Sequence, residues 1–204
     1  MRCIGFYCII RMTKYILLIF FVLAANAAAA QLTVNIQWQS VKPGYSGDSI
    51  YYDTDHKLTW ADFKGRPAAA NPAAAITESG FGYRMSMQSF NNRTSINITV
   101  FCYFNKNKSW VKKGMKTAYA LLHEQHHFDI TFINTSLFIQ KLNAAKLTKS
   151  NFNSLVERIY DECFAALNKM QDEYDGETSN GRIVAVQELW NKKIDAQLAT
   201  LTTN

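Results

Sequence analysis

Polar and apolar residues alternate along SINITV, residues 95 to 100, within the longer run TSINITVFCYF, which is rich in β-branched and aromatic side chains. A period of two sends successive side chains to opposite faces, so a half-buried strand is predicted here. LTVNIQW (32 to 38) and SGFGYRMSMQSF (79 to 90) predict two more. Between them GRPAAANPAAA (65 to 75) carries two prolines, each of which disfavours helix at the preceding residue, and predicts an exposed connection. From about Met115 the period lengthens to that of helices. One is predicted from about 115 to 147, a second from about 151 to 175 and a third from about 182 to 200, with Gly176, Asn180 and Gly181 marking the last break. Strands first and helices after predict an α+β fold: a mostly antiparallel sheet followed by three helices packed on one face. No internal repeat is visible, and residues 31 to 204 read as one domain.

The first 30 residues stand apart. Lys14 is followed by YILLIFFVLAA (15 to 25) and then by the small residues of NAAAAQ, the layout of a cleavable export signal, with Met12 an alternative start. Eleven apolar residues are fewer than the about 20 needed to span a bilayer, so no stable membrane span is expected. The expectation is an exported chain, periplasmic, envelope-associated or secreted, beginning near Gln31.

Export changes how charge and cysteine are read. Removing Arg2, Arg11 and Lys14 from the 22 basic residues leaves 19 against 16 acidic, a balance of +3. The remaining lysines are scattered and no basic face interleaved with aromatics emerges, which argues against a nucleic-acid partner. Cys102 and Cys163 remain, either as one disulfide or as two buried thiols.

Three of the four histidines fall in LLHEQHHFDI (121 to 130), where His123, Glu124 and His127 form His-Glu-x-x-His. On a helix His123 and His127 lie about 40° apart, one turn above the other, so their imidazoles can converge on one ion. Glu124 lies about 100° round from His123, where a general base would reach a water from the side, while His126 points about 60° the other way, to a supporting or solvent-facing position. Asn134, Thr131 and Thr135 extend the polar side, and Phe128, Leu121, Phe132, Ala118 and Ile133 form the apolar one. A stripe turned to solvent would give the same pattern, so a site and a wet helix face are both open readings.

The chemistry decides which residue types are required. Two neutral imidazoles and a third protein ligand hold Zn²⁺ with one position open, a water there has its pKa lowered towards about 7, and Glu124 accepts its proton as it attacks a peptide carbonyl. The helix itself offers no third donor. Glu157, Asp161, Glu162, Glu173, Asp175 and His56 are the candidates elsewhere in the chain.

LTWADFKGRP (58 to 67), LLHEQHHFDI and YDGETSNG (174 to 181) together resemble the family called domain of unknown function 922, secreted bacterial proteins regarded as zinc-dependent proteases. The resemblance spans roughly residues 55 to 195. It implies a zincin-like fold, a zinc cofactor and a peptide or protein substrate. His123, Glu124, Gln125, His127, Phe128, Asp129 and Ile130 match its central motif, and Trp60, Asp62, Phe63, Gly65, Pro67, Tyr174, Asp175, Thr178 and Gly181 match the flanking ones. Trp60 and Phe63 are expected to pin their segment into the core, Asp62 to hold a turn, and Tyr174 either to pack or to donate its hydroxyl to a developing oxyanion. Two residues depart from the family pattern: Phe132 stands for a glutamate, and Asn180 for a histidine that would be a natural third ligand. The second departure raises an alternative expectation, a catalytically degraded zincin-like envelope protein acting as a binding or structural module.

Overall fold

The alternating stretch forms the long strand on which the rest is built. In the computed structural model, which describes residues 31–39 and 47–201, it is β5, Arg93–Asn105, preceded by β1 (Gln31–Trp38), β2 (Ser49–Tyr51), β3 (Ala75–Ile76) and β4 (Ser79–Phe90), and followed by β6 (Trp110–Val111). The expected export signal and its alternative start at Met12 lie outside the described residues. Three helices follow among the described residues: α1 (Ala118–Ala144), α2 (Phe152–Thr178) and α3 (Val184–Leu201). The fold is α+β, as the order of periods predicts. Among the described residues no helix is long and apolar enough to cross a membrane.

β5 pairs with β1, β2 and β4 in one sheet, and β3 pairs with β6 in a second. β2 is antiparallel to β5, with Ile50 opposite Phe104. β3 is antiparallel to β6, with Ala75 opposite Val111. The predicted strands at 32 to 38, 79 to 90 and 94 to 104 are present; β2, β3 and β6, two or three residues each, are too short to show a period.

The residues group into two compact units. The described part of the smaller is residues 31–33 and 87–96. Within it the hairpin turns at Asn91 and Asn92, both at positive φ (45° and 63°), which asparagine tolerates better than most residues. The larger unit, Val34–Ser86 with Asn97–Asn204, contains everything described below.

In that unit the buried face of β5 presents Ile98, Val100, Cys102 and Phe104. Phe104 meets Phe63 and Phe128, at 5.1 and 5.9 Å between ring centroids, and Tyr52 stacks on Phe132 at 4.1 Å. The sheet thus covers the apolar side of α1, and α2 and α3 pack against the same helix. Covered on several sides, α1 buries its polar stripe too: Glu124, Thr131, Asn134 and Thr135 are all inside. The wet-face reading of that stripe is overturned by this packing. Cys102 and Cys163 are both free and buried, and burial pushes both thiols up, so they are inert apolar fillers.

The segment from Tyr52 to Trp60 is strapped along α1. Tyr52 Oη donates to Asp129 Oδ1 (2.7 Å), the Leu58 N–H donates to Gln125 Oε1 (2.8 Å), and Trp60 Nε1–H donates to the Thr117 carbonyl (3.2 Å). Thr117 is the N-cap, its hydroxyl accepting from the Ala120 N–H at 3.0 Å. Asp62 holds the adjoining turn by accepting from the Thr59 N–H and hydroxyl. Phe63 is buried and Trp60 half-buried against it, so the pair pins the segment as expected. Gly65 is needed for close approach: a Cβ there would stand 2.7 and 2.8 Å from the carbonyl oxygens of Asn107 and Ser109.

His126 is not solvent-facing; it is buried, with Nδ1 3.1 Å from Asp129 Oδ2 and its ring edge-on to that of Tyr174 at 6.4 Å. Asp129 is thereby the shared acceptor for Tyr52, Gln125 and His126, with Lys57 Nζ at 3.5 Å. Burial pushes its carboxyl up, but these donors and the lysine charge outweigh it and hold the group below its ordinary range. A depressed folded-state pKa stabilises fully above the ordinary carboxylate value, and the contribution is lost as pH falls through the folded-state value. Asp129→Ala strands several buried donors at once and is expected to cost about 3 kcal/mol or more, with a much reduced acid dependence of stability. Urea melts of the two proteins at neutral and acid pH check this, and a loss under about 1 kcal/mol would show the cluster to be incidental.

Candidate metal centre

α1 carries His123 and His127 one turn apart, and α2 brings Asp175 to them. His123 Nε2 and His127 Nε2 are 3.2 Å apart, and each is 3.1 Å from Asp175 Oδ1. The three atoms form a nearly equilateral triangle. Tetrahedral zinc with bonds of about 2.0 to 2.2 Å separates its ligand atoms by about 3.3 Å, so an ion about 1 Å off this plane would sit at bonding distance from all three donors. The donor set, two imidazoles and a carboxylate, is also one that zinc takes. The residues fit the ion.

The outer nitrogens of both rings are engaged. His123 Nδ1 lies 2.8 Å from Gln187 Oε1 on α3, and His127 Nδ1 meets Gln171 Oε1 on α2. Gly181 makes room for this arrangement, since a Cβ there would stand 3.2 Å from His123 Nδ1, and its φ of +75° is one that other residues resist. It ends a left-handed reversal, Ser179–Asn180–Gly181, that closes α2 with the Asn180 N–H on the Asp175 carbonyl (2.8 Å). α2 therefore runs to Thr178, past the expected end near 175 and through Gly176.

Electrostatics follow the geometry. Burial pushes the Asp175 carboxyl up, but hydrogen bonds and charge from the two imidazoles hold it well below the usual carboxylate range. Burial pulls the His127 imidazole down, and Asp175, Glu124 and Gln171 together more than offset this, leaving it above its ordinary value. Each shift reports how strongly the triangle attracts positive charge.

Glu124 lines the same cleft as the three donors, with Oε2 accepting from the Thr77 hydroxyl at 2.7 Å. The cleft encloses about 430 Å³. It is lined by residues 73–79, by Phe164, Leu167 and Asn168 of α2, and by the turn from Asn180 to Arg182.

Of the candidates for a third donor, Asp175 alone is placed with the histidines. Glu173 faces Lys169 at 3.7 Å, Glu162 binds Lys141 at 2.9 Å, and His56 is on the surface beside Asp53. Asn180 lines the cleft without joining the triangle. Phe132, the other departure, sits on the sheet side of α1 against Tyr52 and Trp38, away from the site. Tyr174 is fully buried, its ring stacked on His123 at 4.7 Å and its hydroxyl placed between the His123 carbonyl (3.4 Å) and Gln187 Nε2. It backs the histidine, does not line the cleft, and is not positioned as an oxyanion donor.

Gln171, Gln187 and Thr77 have no counterpart among the sequence-derived candidates. Gln171 had a usable signal, since it lies four residues before Asp175 and shares its helix face. Gln187 and Thr77 reach the site only through tertiary packing. No protein-family model, curated protein or solved structure matches this chain.

Because a metal must displace any proton held on His127, whose affinity for one is raised, apparent zinc affinity is expected to fall with decreasing pH from above the ordinary imidazole range of about 6.5. Chelator competition across pH measures it; a flat profile would contradict the assignment. Gly181→Ala, which presses on His123, should weaken zinc uptake by about tenfold or more in the same assay.

Proposed function

We propose that this protein is an exported, zinc-dependent metallopeptidase-like hydrolase. The observation that carries this reading is the triangle of His123, His127 and Asp175 donor atoms beside Glu124 in one cleft. Zinc held by these donors would supply a Lewis acid and a water acidic enough to react near neutral pH. Glu124 has the part of general base: it takes the proton of the attacking water and returns it to the leaving amine. Thr77 holds the carboxylate against the cleft wall in the meantime.

A peptide substrate would lie along residues 73–79 of the cleft lining. Just outside β3 and β6 the Ala74 carbonyl accepts from the Lys112 N–H at 2.8 Å. Alternation then turns the backbone of Ala75 away from β6, where an extended substrate can add as another strand. Three successive alanines, Ala73 to Ala75, keep that wall free of bulk. The likeness of the three sequence blocks to the domain of unknown function 922 family points the same way, as does the export signal for location. With Asp175 as the third donor, this reading does not depend on a histidine at position 180.

Purified mature protein should retain about one zinc per chain. Asp175→Ala and the His123→Ala/His127→Ala pair should lose it, while Asn180→Ala should keep it. Glu124→Ala should bind zinc normally and lose peptide hydrolysis by about 10²-fold or more on any substrate that wild type cleaves. Hydrolysis that survives Glu124→Ala would remove that residue from the mechanism. Zinc that survives Asp175→Ala would remove the carboxylate from the ligand set.

A further inference from the structure

Each of the two histidines is the start and the end of a closed hydrogen-bonded loop. Gln171 sets its Oε1 on His127 Nδ1 and its Nε2 on the backbone carbonyl of the same His127 (2.9 Å), with Thr131 Oγ1 at 3.3 Å. A carbonyl accepts and cannot donate, so the Gln171 end that faces it must be the NH₂. The opposite end is then an acceptor, and His127 Nδ1 must carry the proton. The loop around His123 runs in the same sense through one more residue. Gln187 Oε1 faces His123 Nδ1 at 2.8 Å, Gln187 Nε2 donates to Tyr174 Oη and to Asn191 Oδ1 (2.6 Å), and Tyr174 Oη–H donates to the His123 carbonyl at 3.4 Å. Gln187 and Tyr174 are buried, so water does not compete for these partners.

We propose that Gln171 and Gln187 are positioning residues that lock His127 and His123 as Nδ1–H tautomers when the rings are neutral, so that both Nε2 lone pairs are left for a cation, proton or metal, shared with Asp175 Oδ1. An isolated neutral imidazole favours the other tautomer, with the proton on Nε2. That form would place N–H groups inside the triangle and block cation binding. The locks therefore select the metal-ready form in advance, and they do so with neutral carboxamides, adding no charge beyond that of Asp175. This inference rests on the zinc reading for its purpose, but the tautomers themselves are a property of the metal-free chain.

The test is ¹⁵N NMR of imidazole-labelled mature protein, freed of metal and held at a pH where both rings are neutral, alongside zinc titration by chelator competition. Wild type should show Nδ1–H and bare Nε2 for both rings. Gln171→Leu and Gln187→Leu should each release the matching ring to a mixture of tautomers and weaken zinc binding about 10- to 100-fold. Gln187→Glu retains the acceptor and should preserve the Nδ1–H form of His123, which a purely space-filling role for Gln187 would not require. Nε2–H signals in wild type, or leucine variants with unchanged tautomers and unchanged zinc affinity, would overturn the proposal. Should the leucine variants not fold, the wild-type and glutamate spectra still decide it. Nδ1–H in both rings of a protein that takes up no zinc would leave the locks standing and overturn the metal reading instead.

Discussion

Three atoms with lone pairs, His123 Nε2, His127 Nε2 and Asp175 Oδ1, are held within 3.2 Å of one another, and everything around them serves to keep them there. Such a set repels itself unless a positive charge lies among its members, either a proton or a metal ion. The depressed carboxyl of Asp175 and the raised imidazole of His127 are two expressions of that demand. Its corners belong to two helices, α1 and α2, that pack against each other.

The sequence blocks LLHEQHHFDI and YDGETSNG each divide between two tasks. His123, Glu124 and His127 face the cleft, whereas Gln125, Phe128 and Asp129, from the same motif, face the other way and fasten α1 to the segment from Tyr52 to Trp60. Two turns of helix thus present cleft-facing residues on one side and their anchorage on the other. The YDGETSNG block likewise supplies one donor, Asp175, and the means of placing it: Tyr174 behind His123, Thr178 and the left-handed turn closing α2, and Gly181 leaving space at the ring.

Much of this was legible in the chain. The alternation along β5 and the longer period after Met115 give the α+β order, because each element is long enough to show several repeats. The two-residue β3 and β6 were illegible for the opposite reason, although β3 forms a wall of the cleft. Local helical geometry sufficed to pair His123 with His127 and to set Glu124 beside them. It could not choose between Asp175 and Glu173, two residues apart, since that depends on how α2 is rotated against α1. Nor could it tell that the polar stripe of α1 turns inward, because a site and a solvated face share one pattern. For Tyr174 packing and an oxyanion role were both open from the sequence, and the packing places its hydroxyl behind the imidazole.

X-ray absorption at the zinc edge of mature protein loaded with one equivalent tests the centre most directly. The account predicts a light-atom shell at about 2.0 to 2.1 Å with the scattering signature of two imidazoles, reduced to a different shell or lost altogether in Asp175→Ala. Protein that holds no zinc after dialysis, or a shell with fewer than two imidazoles, would contradict it.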